Sequence, residues 1–296
     1  IIIVAFITLV VVLGISGFLY TKEKMLVEET VVEKTETPVE VPATVVTPNK
    51  VIGISVEGRA IESYTYGSGE TILLFVGGIH GGYEWNSVLL AYEFIDQLEN
   101  KTVVIPDHLK VVVIPSLNPD GVYSVVKKEG RFLAEEIPPN DAHTTGRGRF
   151  NANEVDLNRN FACKWKKESS WRGKTVSAGT AAFSEPEAAA LRDLVEEINP
   201  SMVVFWHSQA NTVYASECEK GILPKTLVAM NAYALAAKYN AVAAFDAYPI
   251  TGDAEGWLAS INIPAITVEL ETRTSPEWER NHAGIEAIFS LFSRDE

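Results

Sequence analysis

The sequence predicts an α/β domain with a mixed, mostly parallel central sheet, helices on both faces, and a transmembrane helix before the domain. Three observations support this class: continuous apolar runs of strand length, amphipathic helical segments between them, and an uncharged apolar stretch at residues 1–20. Strands that are apolar on both sides are typical of a parallel sheet covered by helices on both faces.

The predicted elements alternate along the chain. Residues 51–66 are expected to form a hairpin with Glu57 and Gly58 at its turn. Ser184 and Glu187 have the spacing of a capping box, and Pro186 suits a first helical turn. Strands are predicted at residues 71–76, 110–115, 201–206 and 265–270, and helices at 85–98, 184–198, 223–239 and 283–292.

The first 50 residues differ in composition from the rest. Residues 1–20 carry no charge and are long enough to span a bilayer as a helix. Residues 21–50 are rich in Glu, Val, Thr and Pro, which indicates an extended linker. Residues 51–296 are expected to form one catalytic domain. Lys22 and Lys24 hint at a cytoplasmic side, but the linker and the two cysteines favour an extracytoplasmic domain.

Charge and cysteine content limit the possible partners and compartments. The formal net charge is -14, and phosphate binding needs a basic face, so nucleic acid is not expected as a partner. Cys163 and Cys218 are the two cysteines of the chain. In an exported domain they could form one disulfide, or they could remain two buried thiols, and the sequence leaves both possibilities open.

Polar side chains follow three of the predicted strands. His80 follows the first apolar strand, His207 ends the strand that begins near residue 201, and Glu269 ends the last strand. Ligands collect beyond the carboxyl ends of strands in such sheets, and two His with one carboxylate are usual ligands of a catalytic zinc. A lone His is more often structural, and Glu84 could be an ordinary first-turn acid. Four glycines around His80 indicate backbone packed closely around a site.

Six motifs in order resemble those of the zinc metallocarboxypeptidases, the carboxypeptidase A-like family. The resemblance extends over the whole globular part and implies that fold and a peptide-hydrolysing activity. The matching segments are GGIHGGYEW with His80 and Glu84, NPDG at 118–121, VDLNRNF at 155–161, WHSQ with His207, Tyr248 with Gly252 and Trp257, and TVEL at 267–270.

The resemblance implies a single zinc ion held by His80, Glu84 and His207. Glu269 would act as the general base and then as the general acid. Glu271 lies two residues further on and faces the same side of a strand, so it is the alternative base, although the motif favours Glu269.

The resemblance also implies how a substrate would be held. Asn158 and Arg159 would bind its terminal carboxylate, a task that suits the donor fork of arginine, and Tyr248 would close over that carboxylate. Arg149 would stabilise the oxyanion, with Arg147 as its rival.

Two features depart from the family pattern. Three residues separate His80 from Glu84, whereas the usual motif is H-x-x-E, and a glycine-rich turn is expected to let both converge. Ala162 follows NRNF where relatives commonly carry Asp. The expected roles stay the same, but Ala162 could be neutral or slow the enzyme, and the two departures keep a catalytically weak binding module as an alternative.

The preferred substrate depends on one acidic residue. Glu255 lies between Tyr248 and Trp257, in a segment that lines the pocket for the last side chain in relatives. An acid there would favour a basic terminal residue or the free amino group of diaminopimelate in cell-wall peptides. Asp253 is an alternative for the same role, and Glu255 could instead be an exposed first-turn acid.

The leading interpretation is therefore a membrane-anchored zinc carboxypeptidase with an extracytoplasmic, monomeric catalytic domain. Its partner would be a peptide with a free terminal carboxylate. One alternative is a zinc amide deacylase acting on small acylated amino acids, and another is a catalytically weak binding module on a membrane stalk.

Overall fold

The fold centres on an eight-stranded mixed sheet, with two further two-stranded ribbons. The strands of this computed structural model are β1 (Lys50–Ile54), β2 (Ala60–Tyr66), β3 (Thr71–Val76), β4 (Leu109–Ile114), β5 (Glu168–Trp171), β6 (Lys174–Ser177), β7 (Met202–Ser208), β8 (Thr212–Ala215), β9 (Glu217–Cys218), β10 (Gly221–Ile222), β11 (Asn240–Val242) and β12 (Ala265–Leu270). The order in the large sheet is β1-β2-β4-β3-β7-β12-β8-β11, and the ribbons are the pairs β5–β6 and β9–β10.

Helices cover both faces of this sheet, as predicted. They are α1 (Trp85–Glu99), α2 (Pro119–Val126), α3 (Pro186–Ile198), α4 (Pro224–Ala237), α5 (Ala254–Ser260) and α6 (Trp278–Phe292). One buried apolar cluster contains side chains of α1, α4 and α6, and a second contains those of α3 and α5. Alternate residues of β3 enter the two clusters, because successive side chains of a strand point to opposite faces.

The structure describes residues 50–138, 146, 148–246 and 248–293. The predicted membrane helix at 1–20, and the predicted linker apart from its final residue, lie outside the described residues. Within the described ranges, no helix has both the length and the apolar character needed to cross a bilayer.

The parallel part of the sheet lies at its centre. β4, β3, β7 and β12 are consecutive and parallel, and β3 and β7 consist mainly of buried apolar residues. On one side of this centre β1 pairs antiparallel with β2 and β2 with β4, and on the other side β8 pairs antiparallel with β12, which confirms a mixed sheet. At the far edge β11 pairs parallel with β8. The carboxyl ends of β3, β7 and β12 therefore meet at one edge.

Most predicted elements are confirmed within a few residues, including the hairpin at 51–66 with its Gly58 turn. The prediction of a capping box at Ser184 and Glu187 is wrong. Helix α3 begins after Glu185, and the Glu185 side chain forms no capping hydrogen bond. Ser184 Oγ instead lies 2.8 Å from Glu185 Oε1, and Glu187 accepts hydrogen bonds from Val56 N and from Asn151.

The NPDG segment binds the turn of the first hairpin. Asn118 Oδ1 accepts a hydrogen bond from Gly121 N and so caps α2, with Pro119 in its first turn. Asp120 is buried and accepts hydrogen bonds from Ser55 Oγ and from Arg59 Nη1, both at 2.7 Å. This motif therefore has a structural role.

Candidate metal centre and active site

The site forms where β3, β7 and β12 end. His207 is the sixth residue of β7, and Glu269 is its register partner on the adjacent parallel strand β12. His80 follows β3 by four residues and its ring centroid lies 5.0 Å from that of His207. The sheet order thus brings together three side chains that are far apart in sequence.

A tight glycine turn brings Glu84 to the two histidines. Residues Gly81–Glu84 form a 3-10 turn, and Gly81 has φ +47°. A Cβ at Gly81 would lie 2.6 Å from the carbonyl oxygen of Gly148, and one at Gly82 would lie 2.5 Å from Val125 Cγ2. Only glycine fits this approach, which explains how the longer His80–Glu84 spacing still converges.

His80, Glu84 and His207 are buried and form a group that could hold a metal ion. One ligand atom from each lies within 4.8 Å of the others. His207 Nδ1 and Glu84 Oε2 are 3.1 Å apart. That distance resembles the edge of a tetrahedron around zinc, which is roughly 3.3 Å for bonds of about 2.0–2.1 Å.

Asp156 connects the metal group to Arg149. Its Oδ1 lies 3.6 Å from His80 Nδ1, and its Oδ2 accepts a hydrogen bond from Arg149 Nε at 2.9 Å. The atoms His80 Nδ1 and Asp156 Oδ1 are buried without a hydrogen-bond partner. A carboxylate beside a metal-binding imidazole fixes the orientation of its ring. Arg149 Nη1 also lies 3.9 Å from Glu84 Oε1.

Two histidines and one glutamate of the site have perturbed pKa values. Burial, with the charge of Arg149, holds the pKa of His80 well below its usual value. Burial opposes protonation of His207, but hydrogen bonds to Glu255 and Glu84 raise its pKa well above the usual value. Burial and the nearby Glu84 carboxylate raise the pKa of Glu269 to about 7. The surroundings of His207 therefore favour positive charge.

A cavity of about 700 Å³ opens in front of these residues. Every residue predicted to bind metal or substrate, or to take part in catalysis, lies in its wall. Arg147, the rival of Arg149, lies outside the described residues. The predicted site residues that line the cavity are His80, Glu84, Arg149, Asn158, Arg159, His207, Tyr248, Glu255 and Glu269.

Asn158 and Arg159 are held by the backbone of different segments. Asn158 Oδ1 accepts a hydrogen bond from Ala254 N at 2.8 Å. Arg159 donates to the carbonyl oxygens of Asn158 and Ser170, while its Nε is buried without a partner. The cavity thus has an arginine with an unused donor on the wall that also carries α5.

Tyr248 packs on an aromatic neighbour at the cavity wall. Its ring centroid lies 4.8 Å from that of Phe245, which in turn packs on Tyr214. The Gly252 backbone that follows donates to Cys163 O and accepts from Phe161 N. These bonds attach the tyrosine segment to the NRNF segment.

Glu255 is buried in the first turn of α5, so the interpretation as an exposed acid is wrong. Its Oε1 lies 3.2 Å from His207 Nε2 and accepts a hydrogen bond from Thr267 Oγ1 at 3.0 Å. Asp253 caps α5 by accepting from Gly256 N. Glu255 therefore contacts a candidate metal ligand as well as the cavity.

Three further sequence questions have structural answers. Cys163 and Cys218 form a disulfide, with 6.2 Å between their Cα atoms. Glu271 is exposed and forms an ion pair with Arg280 at 2.8 Å. Glu269 lines the cavity and Glu271 does not, which favours Glu269 as the base. Ala162 is exposed beside the disulfide.

Sequence reasoning missed several residues of this site. Asp156 stood inside a recognised motif and could have been found from its position two residues before Asn158. Tyr83, Trp171 and Arg273 also line the cavity, and the rings of Tyr83 and Trp171 pack edge to face at 5.2 Å. Arg273 lies in a polar stretch that resembles any solvated loop, so no pattern distinguished it.

Comparison with known proteins identifies the family and the fold. The profile of the zinc carboxypeptidase family (peptidase M14) matches residues 44–282. The chain is 24% identical over 245 residues to gamma-D-glutamyl-L-diamino acid endopeptidase 1 of Lysinibacillus sphaericus, covering 76% of this chain and 61% of that protein. It is 31% identical over 139 residues to murein peptide amidase A of Escherichia coli K12, covering 44% of this chain and 54% of that protein. The chain thus spans less than two thirds of either relative.

Solved structures share the fold. The murein-tripeptide amidase of Escherichia coli O157 superimposes with a TM-score of 0.57 and 24% identity, over 84% of this chain and 92% of that one. Bovine thrombin-activatable fibrinolysis inhibitor, solved with a tick carboxypeptidase inhibitor, gives a TM-score of 0.65 and 20% identity, over 84% and 90%. At these identities the likeness concerns the fold.

Proposed function

The chain belongs to the zinc carboxypeptidase family, and we propose that it is a hydrolase of peptide bonds that removes the carboxyl-terminal residue from cell-wall peptides. The bond we propose is the one between a γ-linked D-glutamyl residue and a terminal diamino acid. One observation carries the proposal: a buried His-Glu-His group faces Glu269 in a cavity that also holds Arg159 and the acid Glu255.

The donor set fits zinc. His80, Glu84 and His207 would hold the ion, because two imidazoles and one carboxylate form a usual catalytic zinc set. Asp156 and Glu255 lie beside ring nitrogens of the two histidines, as outer carboxylates of such sites do. When bound, zinc supplies Lewis acidity that activates water and polarises a carbonyl.

Other residues of the cavity transfer the proton, stabilise the oxyanion and bind the substrate. Glu269 takes a proton from the attacking water and delivers it to the nitrogen of the leaving amine. The guanidinium of Arg149, held by Asp156, stabilises negative charge that develops on the scissile carbonyl oxygen. Arg159, with Asn158 beside it, binds the terminal carboxylate of the leaving residue, and Tyr248 closes over it.

Two features support a diamino acid as the leaving residue. Glu255 presents a buried carboxylate to the cavity, and a free amino group would pair with it. Its contacts with His207 and Thr267 both use Oε1. The relative from Lysinibacillus sphaericus is named for the γ-D-glutamyl-L-diamino acid bond, and the Escherichia coli relatives for murein peptides.

The test is a cleavage assay on the full 296-residue chain loaded with zinc. The substrates are L-Ala-γ-D-Glu-meso-diaminopimelate and a mixed library of α-linked peptides, and mass spectrometry follows the loss of single terminal residues. Glu269→Gln is the control. We expect release of diaminopimelate at one equivalent of bound zinc, with release abolished in the control.

Other outcomes contradict parts of the proposal. Trimming of α-linked peptides alone would retain the carboxypeptidase and reject the cell-wall bond. Bound zinc without cleavage of either substrate would favour the amide deacylase, which hydrolysis of acylated amino acids would reveal. Failure to bind zinc would favour the binding module.

We also propose that the catalytic domain is anchored in a membrane by residues 1–20 and lies outside the cytoplasm. The uncharged apolar run supports the anchor, and the Cys163–Cys218 disulfide supports an oxidising compartment. Protease added to intact cells should remove the domain and leave cytoplasmic markers intact. Protection of the domain until the cells are lysed would reject this orientation.

A further inference from the structure

Arg273 is a cavity arginine to which the proposed reaction assigns no task. Its guanidinium stacks on the ring of Tyr83, with 3.9 Å from Cζ to the ring centroid. Its Nε is buried without a hydrogen-bond partner, and no carboxylate among the described residues pairs with it. A cation held against an aromatic face, with donors still unused, is suited to an anionic ligand.

Side-chain hydrogen bonds from α1 hold the turn that carries Arg273. Asn86, fully buried in the first turn of α1, donates to Thr272 O at 2.7 Å and to Ser275 O at 3.0 Å. Ser208 Oγ, at the end of β7, donates to Asn86 Oδ1 at 2.9 Å. The backbone on both sides of Arg273 is therefore held in place by hydrogen bonds from Asn86.

Arg149 and Arg159, the two arginines with assigned tasks, have other contacts. Arg149 is paired with Asp156, and Arg159 donates to Ser170 O on the wall next to α5, where the leaving residue would lie. Arg273 instead follows Glu269 by four residues and contacts Tyr83, the neighbour of Glu84. It thus adds a further positive charge to the same cavity, beside Tyr83.

The chemistry of a γ-glutamyl bond suggests what Arg273 binds. When glutamate is linked through its side chain, its α-carboxylate remains free on the acyl side of the scissile bond. We propose that Arg273 binds this α-carboxylate and so makes the enzyme selective for γ-linked acidic residues before the cleaved bond, an inference that rests on the proposed function. The guanidinium of Arg273 would donate hydrogen bonds to the carboxylate while it remains stacked on the ring of Tyr83.

The test compares two substrates on three proteins. The substrates are L-Ala-γ-D-Glu-meso-diaminopimelate and the same tripeptide with the α-carboxylate of its glutamyl residue converted to the amide. The proteins are the native chain, Arg273→Gln and Arg172→Gln. Arg172 is the matched control, because it lines the same cavity but is exposed at the β5–β6 turn.

We expect the native chain to prefer the carboxylate over the amide by roughly 10- to 100-fold in kcat/KM, the range for a charge-assisted hydrogen bond. In Arg273→Gln this ratio should fall to about one, whereas Arg172→Gln should keep it. Calorimetry on the zinc-loaded Glu269→Gln protein, with and without Arg273→Gln, should give the same change in the ratio of Kd values.

The outcomes separate the two proposals. Cleavage of both substrates at equal rates by the native chain would retain the proposed function and reject the role of Arg273. Loss of the preference in Arg172→Gln, with its retention in Arg273→Gln, would also reject that role. Failure of the native chain to cleave, and of Glu269→Gln to bind, either tripeptide would reject both proposals. Unchanged melting temperature and zinc content would exclude a folding defect of Arg273→Gln.

Discussion

His207 and Glu269 are register partners on the adjacent parallel strands β7 and β12. Neighbouring strands lie about 4.8 Å apart, so backbone hydrogen bonds set the separation between this candidate metal ligand and the candidate base. Their relative position depends on the sheet and therefore survives changes to the Glu269 side chain. A substitution of the Glu269 side chain therefore changes its chemistry and leaves the position of His207 unchanged.

Glu269→Gln should therefore lower kcat by about 10²- to 10⁴-fold, the range of general acid–base catalysis, while zinc remains bound at one equivalent. An amide has nearly the same shape but cannot take the proton. Steady-state kinetics with metal analysis checks both halves. Activity within tenfold of native would assign the base to another residue.

Glu255→Gln should have two effects, because the carboxylate contacts both the cavity and His207. Preference for a terminal residue with a free amino group should fall, since the opposite charge is gone. Zinc affinity should fall by about 10- to 100-fold, as for other outer ligands of zinc sites. Competition with a chelator measures affinity, and paired substrates ending in lysine and norleucine measure preference. Unchanged preference would leave Glu255 with the metal role alone.

Gly81→Ala should destabilise the fold by about 3 kcal/mol or more and reduce zinc binding. Its Cβ would lie 2.6 Å from a carbonyl oxygen in the turn between His80 and Glu84. Gly58→Ala is the matched control, since Gly58 also has positive φ but no atom lies within 4 Å of its added Cβ. It should cost about 1–2 kcal/mol for backbone strain. Urea unfolding compares the two variants, and equal losses would show that crowding at Gly81 is unimportant.

Replacing Cys163 and Cys218 together by Ser should lower the free energy of unfolding by about 4 kcal/mol in the chain-entropy model. The reason is that the bond links residues 55 positions apart and restricts the unfolded chain. Denaturant titration of the native and doubly substituted chains measures the difference. A loss below about 1 kcal/mol would mean that the unfolded chain is already constrained there.

The central strands and the site were predictable because both have strong patterns. β3 and β12 are apolar runs with turn signals on either side, and their predicted bounds match the structure. His80, His207 and Glu269 converge because parallel strands end at one edge. The order of the motifs then supplied Glu84 and the predicted substrate-binding residues of the cavity.

Other features had no comparable signal. β8 has four residues and pairs antiparallel with β12, an arrangement that depends on tertiary packing rather than on local pattern. The start of α3 was misassigned because Ser184 bonds to its neighbour Glu185 instead of the helix. Arg273 acquires its environment from Tyr83 and from the turn held by Asn86, both distant in sequence.

The adjacency of β3, β7 and β12 also determines how much of the chain must be made before the candidate site can form. His80 leaves the ribosome long before Glu269, which lies 269 − 80 = 189 positions later in the chain. The intervening segments must fold before β12 can pair with β7, and such distant contacts form late. A nascent or truncated chain that lacks β12 has the candidate metal ligands but not Glu269, the candidate base. The candidate site is therefore complete only after the last strand of the sheet is in place.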